Sequence, residues 1–381
     1  MKPRRAGQRK PRRQGELAES VRVPERSGDD CADVIGPWRV LGVAGLSFVL
    51  SLPLFAPLSW WPLGYVVFAP CLVTLAVDPR RRRPFVVSYL LGAAFFLFHF
   101  RWLYDTTPEG YVAASLLYLA VFFPLAAWPI RHLHRRRGIP MVVTFPVVWT
   151  GIEVLRAYNP LAFPWFLLGH SQIRCLPMLQ VADLAGVYGI TFVLAAVNGL
   201  LADAALAARS GQPVRAVRLR GVLRIEMPAV AVLVVATFAY GEYRLRQGRF
   251  ADGPLTAVLQ GDFLLQAMPN DPNAASDEEK QDAYLALMAQ AVADAPDLDM
   301  VVFPETPWAM YLNREKRYIP FWQRAHQNWV RRASQTGKSI VIGAMAEVPQ
   351  PKGRYPAEYR YNSAYLYAPG DPEPQRYDKI H

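Results

Sequence analysis

The chain has 381 residues, 42 lysines and arginines against 31 acidic residues, a net charge of +11 and 52% hydrophobic residues. That apolar content, with a positive mean hydropathy, exceeds what a soluble globular chain of this length uses. The basic residues occur in short blocks between apolar runs and form no continuous face. This excludes a nucleic-acid-binding reading and points to membrane topology. Three cysteines, Cys31, Cys71 and Cys175, are widely separated and show neither zinc-ligand spacing nor a disulfide framework; they read as thiols of packing value.

Residues 1–37 hold seven basic residues within the first thirteen and too few apolar ones to bury a core. They are expected to form a disordered, Arg-rich cytoplasmic tail. The next part, 38–243, is read as a transmembrane helical domain. It contains seven apolar runs, at 38–57, 60–77, 85–103, 111–130, 139–157, 176–203 and 225–241, each near the roughly 20 residues that cross a hydrocarbon core. Basic blocks follow the second run (Arg80 to Arg83), the fourth (Arg131 to Arg137) and the sixth (Arg209 to Arg224). The alternate loops are poor in Lys and Arg. The positive-inside rule therefore predicts a multi-pass protein with its N-terminus in the cytoplasm and everything after Tyr243 outside it.

A few polar residues interrupt these runs. Glu153 and Arg156 stand at i and i+3, a spacing that allows pairing on one helix face. With Asp183 and Asn198 they either line a functional path or hydrogen-bond helix to helix.

From 250 the texture becomes α/β. Strands are expected at Thr256 to Gln260, Asp299 to Phe303, Lys338 to Gly343 and Asn362 to Tyr367. Ser276-Asp277-Glu278-Glu279 reads as a capping box opening a helix, and a second helix is expected at about 318–336. The second strand delivers Glu305 at its C-terminal edge, where open α/β sheets bind ligands. In an apolar pocket there its charged form is disfavoured, which would suit a general base. Lys379 could stabilise an oxyanion. Alone, a strand-end glutamate is more often a structural residue than a catalytic one.

The order of Glu305, the third strand, Asn362-Ser363 and Tyr377-Asp378-Lys379 resembles the carbon–nitrogen hydrolase (nitrilase) superfamily. With a multi-span membrane region ahead of it, the chain is similar to the bacterial apolipoprotein N-acyltransferases. Phe163-Pro164-Trp165, Gly169-His170-Ser171-Gln172, Gln180 to Asp183 and Gly186-Val187-Tyr188-Gly189 agree with that family. Gln260-Gly261-Asp262 departs from it, with Asp262 where Asn is usual. The resemblance implies a bundle of about seven spans followed by the N-terminal part, 250–381, of an αββα sandwich outside the cytoplasm. It implies Glu305 as general base, Lys379 as oxyanion stabiliser and a downstream cysteine nucleophile that this chain, ending at His381, lacks. It also implies lipid or substrate contacts for Arg156, Phe163, Pro164, Trp165, Tyr188, Trp308 and Asn362.

The implied reaction moves an acyl chain from phospholipid, through a cysteine thioester, to the α-amino group of a diacylated lipoprotein at the bacterial inner membrane, with no cofactor or metal. Two alternatives stand beside it: a membrane-tethered amidase of the nitrilase class, and a degenerate, non-catalytic paralogue that binds lipid or protein. The 381-residue chain is expected to be inactive on its own.

Overall fold

The computed structural model describes residues 36–209, 221–248, 250–263, 274–349 and 358–380. The expected tail at 1–37, with Cys31, lies outside these except for its last two residues, as does most of the basic loop after Arg209. The described residues divide into two compact units. One takes the residues up to His99 together with Ser115–Glu242; the other takes Phe100–Ala114 together with Tyr243 onward.

The first unit is helical. Its elements are α1 (Pro37–Ser51), α2 (Ala69–Val77, entered through a 3-10 turn at Trp61–Tyr65), α3 (Arg83–His99), α4 (Pro108–Arg137, whose first residues count with the second unit), α5 (Met141–Tyr158), α6 (Ala182–Arg209) and α7 (Arg224–Arg246). Each falls on one of the seven apolar runs. Four of them, α4 to α7, are long and apolar enough to cross a membrane; α1, α3 and the segment Trp61–Val77 are shorter apolar helices. α4 ends at Gly138, whose φ of 68° makes the left-handed turn that closes a helix.

The expected single helix over 176–203 is divided. Leu176–Leu179 is one separate turn, and the helical path is non-helical again at Ala185 and Gly186. Gly186 has φ 60° and ψ −165°, a conformation open only to glycine, so the chain changes direction there without a steric penalty.

Two polar contacts set the packing of α6. Asn198 Oδ1 accepts from the backbone N–H groups of Phe68 (2.7 Å) and Ala69 (3.1 Å), while its Nδ2 donates to Gly64 O and Leu194 O, both at 2.8 Å. This one amide satisfies the frayed start of α2, where no side-chain cap is present. Asp203 Oδ2 accepts from Val142 N at 2.9 Å, capping α5. Between them, Gly199 lets the α5 backbone come close: a Cβ there would sit 2.5 Å from Met141 O. Asn198 thus takes the helix-to-helix role.

The second unit carries one five-stranded sheet in the order β1 (Thr256–Val258), β2 (Met300–Val302), β3 (Ser339–Pro349), β4 (Glu358–Tyr367) and β5 (Gln375–Asp378). β1, β2 and β3 are parallel; β3, β4 and β5 are antiparallel. The crossovers are α8 (Asp277–Asp294) and α9 (Pro320–Thr336). α8 opens with the expected box: Glu279 N donates to Ser276 Oγ, and Ser276 N donates to Glu279 Oε2. Tyr284 and Met288 of α8 and Trp329 and Ala333 of α9 join Val301, Ile340, Ile342, Tyr365 and Tyr367 of the sheet in one core. β3 runs six residues past its expected end, and β5 has no counterpart among the expected strands.

Replacing Asn198 with Leu would strand the buried N–H of Phe68, the part-buried N–H of Ala69 and the carbonyl of Gly64. A buried group left without its partner costs about 1–3 kcal/mol. A marked fall in thermal stability in detergent, seen by melting of the helical signal, is the expected outcome.

Candidate functional site

Glu305 follows β2 directly. Val301 is fully buried and Phe303 nearly so, which anchors the strand and fixes where the next residues emerge. The chain then turns sharply. Thr306 has φ 47°, a left-handed conformation that costs a β-branched residue energy. Gly343 of β3 lies under this turn. A Cβ on Gly343 would sit 2.6 Å from Thr306 N, 2.7 Å from Pro304 O and 2.9 Å from Glu305 Cα. A glycine inside an otherwise apolar strand is the signal of such a close approach.

Lys379 arrives from the opposite direction. The β4–β5 register sets Ser363 against Asp378, and Lys379 N extends the ladder by donating to Asn362 O at 2.9 Å. Ser363 Oγ donates to Asp378 Oδ1 at 2.6 Å, and Arg376 pairs with the same carboxylate at 3.1 Å. These contacts hold the end of β5 in place. Lys379 Nζ then reaches Glu305 Oε1 at 3.1 Å.

Asn362 joins the two. Its Nδ2 donates to Glu305 Oε1, and its Oδ1 accepts from Thr306 Oγ1 at 3.3 Å. One carboxylate oxygen therefore has two donors, while Oε2 has no hydrogen-bond partner among the described residues and is free to accept a proton. The residues face an open cleft of about 340 Å³, lined by Phe303, Val341, Gly343, Ala364 and Tyr377 among others.

The electrostatics differ from the sequence-based expectation. Glu305 and Lys379 side chains are 61% and 53% exposed, so the carboxylate is open to solvent and not enclosed in a pocket. Exposed ion pairs contribute only about 0–1 kcal/mol. The geometry is held by β-ladder register and by the Asn362 amide, with the ion pair as a consequence.

The other expected site residues fall elsewhere. Trp308 packs in the core of the second unit, stacked on Trp329 with ring centroids 6.0 Å apart, and does not line the cleft. Phe163, Pro164, Trp165, Arg156 and Tyr188 belong to the helical unit. There, Glu153 and Arg156 are both buried, close enough to attract one another but with no hydrogen bond between them among the described residues. Glu153 accepts from Trp149 Nε1 (3.0 Å), Leu168 N (2.7 Å) and Thr191 Oγ1 (2.7 Å). Arg156 Nη2 donates to Trp165 O at 3.0 Å, and its guanidinium lies 5.4 Å from the centre of the Phe96 ring. Phe163 N donates to Arg156 O at 3.1 Å. The two charged side chains thus fasten the Phe163-Pro164-Trp165 loop to α5 and α6. Tyr188 lies beside Tyr158, ring centroids 6.4 Å apart. Asp183 accepts from Tyr240 Oη at 2.8 and 2.9 Å. No cluster of side chains able to hold a metal ion occurs among the described residues.

Replacing Gly343 with Ala would push the Cβ into the Glu305 turn. Faster amide exchange at Glu305 and Thr306, with the rest of β3 still protected, is the expected result in hydrogen-exchange mass spectrometry.

Residues 44–200 match the apolipoprotein N-acyltransferase N-terminal domain family. Among curated proteins named apolipoprotein N-acyltransferase, one from Geobacter metallireducens is 31% identical over 361 residues, covering 91% of this chain and 64% of the relative. One from Chromobacterium violaceum is 28% identical, over 73% of this chain and 52% of the relative. One from Ralstonia nicotianae is 29% identical, over 89% of this chain and 60% of the relative. The chain spans between about half and two thirds of the length of these relatives. The family-model match lies within the apolar half and the relatives' matches extend over most of the chain, so the chain is similar to the apolipoprotein N-acyltransferases in both of its parts.

Proposed function

We propose that this chain carries the membrane part and two catalytic groups of an N-acyltransferase that matures bacterial lipoproteins. The observation that carries the reading is the Glu305–Lys379 contact at the C-terminal edge of β2. It occurs in a chain whose other half consists of apolar helices.

In this reading the acyl donor is a phospholipid and the acceptor is the α-amino group of a diacylated N-terminal cysteine. A cysteine thiol gives its proton to Glu305 Oε2, and the thiolate attacks the ester carbonyl. Lys379, bound to Glu305 through one N–H, has others to offer the oxyanion. The carbonyl re-forms, the lysophospholipid alkoxide leaves with the proton held by Glu305, and a thioester remains. The acceptor amine then attacks the thioester, Glu305 takes the amine proton and the thiol is regenerated. None of the cysteines at 31, 71 and 175 lies within the second unit, and this reading assigns the nucleophile to none of them.

The membrane arrangement that fits this reading has about seven crossings for 38–243, the Arg-rich residues 1–37 in the cytoplasm and residues 250–381 outside it. The sheet and its helices would form one half of an αββα sandwich. Both substrates are lipids, so holding them in the bilayer beside the site supplies proximity.

The 381-residue polypeptide alone, given phospholipid and a diacylated lipopeptide, is expected to yield no triacylated product. Joined to the C-terminal remainder of the Geobacter metallireducens relative, it is expected to transfer acyl chains. Glu305→Gln and Lys379→Met in that fusion should each lower the rate by about 10²-fold or more. Full activity in Glu305→Gln, measured by mass spectrometry of the lipopeptide, would overturn the assignment.

A further inference from the structure

A second cleft, of about 430 Å³, opens in the helical unit at the end where α1 begins and α2 and α6 finish. Its volume lies within the roughly 300–1,000 Å³ of small-ligand sites. Arg39, Gly42 and Val43 supply one wall; their i, i+3, i+4 spacing puts them on one face of α1. Val73 and Val77, four residues apart, supply the facing wall from α2. Arg209, the last residue of α6, closes the mouth.

The cleft is therefore largely apolar, Thr74 being its one uncharged polar side chain, with Oγ1 donating to Cys71 O at 2.7 Å, and it carries two cations, Arg39 and Arg209. Among the described residues, neither Arg39 nor Arg209 pairs with a carboxylate. The nearest acid in sequence to the Val77 wall, Asp78, is neutralised by Arg83, whose Nη2 donates to it at 2.7 Å. Trp38, beside Arg39, is 81% exposed, as an aromatic residue at headgroup depth is. Gly42 adds room: a Cβ there would meet nothing within 4 Å.

We infer that this cleft binds one anionic phospholipid, an acyl chain lying between α1 and α2 and its phosphate held by Arg39 and Arg209. Basic pockets between membrane helices bind anionic headgroups in this way. The site shares no residue with the Glu305 cleft and does not rest on the catalytic reading.

Native mass spectrometry of the full 381-residue chain in mild detergent, titrated with phosphatidylglycerol or phosphatidylcholine, tests this. Phosphatidylglycerol is expected to remain bound one per chain and to be held about tenfold or more tighter than phosphatidylcholine. Arg39→Ala with Arg209→Ala should remove that preference. Gly42→Leu fills the cleft without changing charge, and as a better helix former it should leave melting unchanged or raise it; it is expected to abolish the bound lipid. Lys379→Met should leave it in place. Equal retention of the two lipids, retention that survives both cleft variants, or a dimer in place of the lipid adduct would each overturn the inference.

Discussion

The approach of the Pro304-Glu305-Thr306 turn to Gly343 is the constraint on which the candidate site depends. Only a residue without a side chain lets the backbone after β2 fold down onto β3. The turn forces Thr306 into a left-handed conformation, and Asn362 offsets part of that cost by accepting its hydroxyl. The same amide grips Glu305, so the strained turn and the aim of the carboxylate are settled by a single side chain. The ion pair with Lys379 is too exposed to do this alone.

The helical unit handles polar groups differently. Asn198, Asp203 and Glu153 each collect donors from segments far apart in sequence, so that buried N–H groups at helix starts and in the 159–172 loop are satisfied without water. Such groups are costly to leave alone in a low-dielectric interior, and they fix which helices touch. Hydrophobic packing alone would let helices slide; these contacts choose one register.

Much of this was legible in the residues. The seven apolar runs correspond to helices because composition decides them locally. The Ser276–Glu279 box, the strand before Glu305 and the Glu305–Lys379 pair were readable for the same reason or by resemblance. β5 was not. Its Gln-Arg-Tyr-Asp sequence has no strand pattern, and it is ordered by pairing with β4 and by the Ser363–Asp378 contact. The partners of Glu153 could not be read either, since Leu168 and Thr191 come from other elements. Trp308, in a motif beside Glu305, pointed to ligand contact, but the core between α8 and α9 claims it. The grouping of Phe100–Ala114 with the second unit has no local signal at all.

The placement of Lys379 at the end of β5 has a consequence for the order of assembly. β1, β2 and β3 join through helical crossovers, and β4 adds by hairpin pairing to β3. Glu305 and Asn362 can meet at that stage. Lys379, 74 residues from Glu305 in sequence, enters only when the edge strand β5 has docked. A chain with four strands in place would have a core and a turn but no cation at the carboxylate. The Glu–Lys pair thus requires β5 to be paired with β4, and it reports whether that strand has found its register.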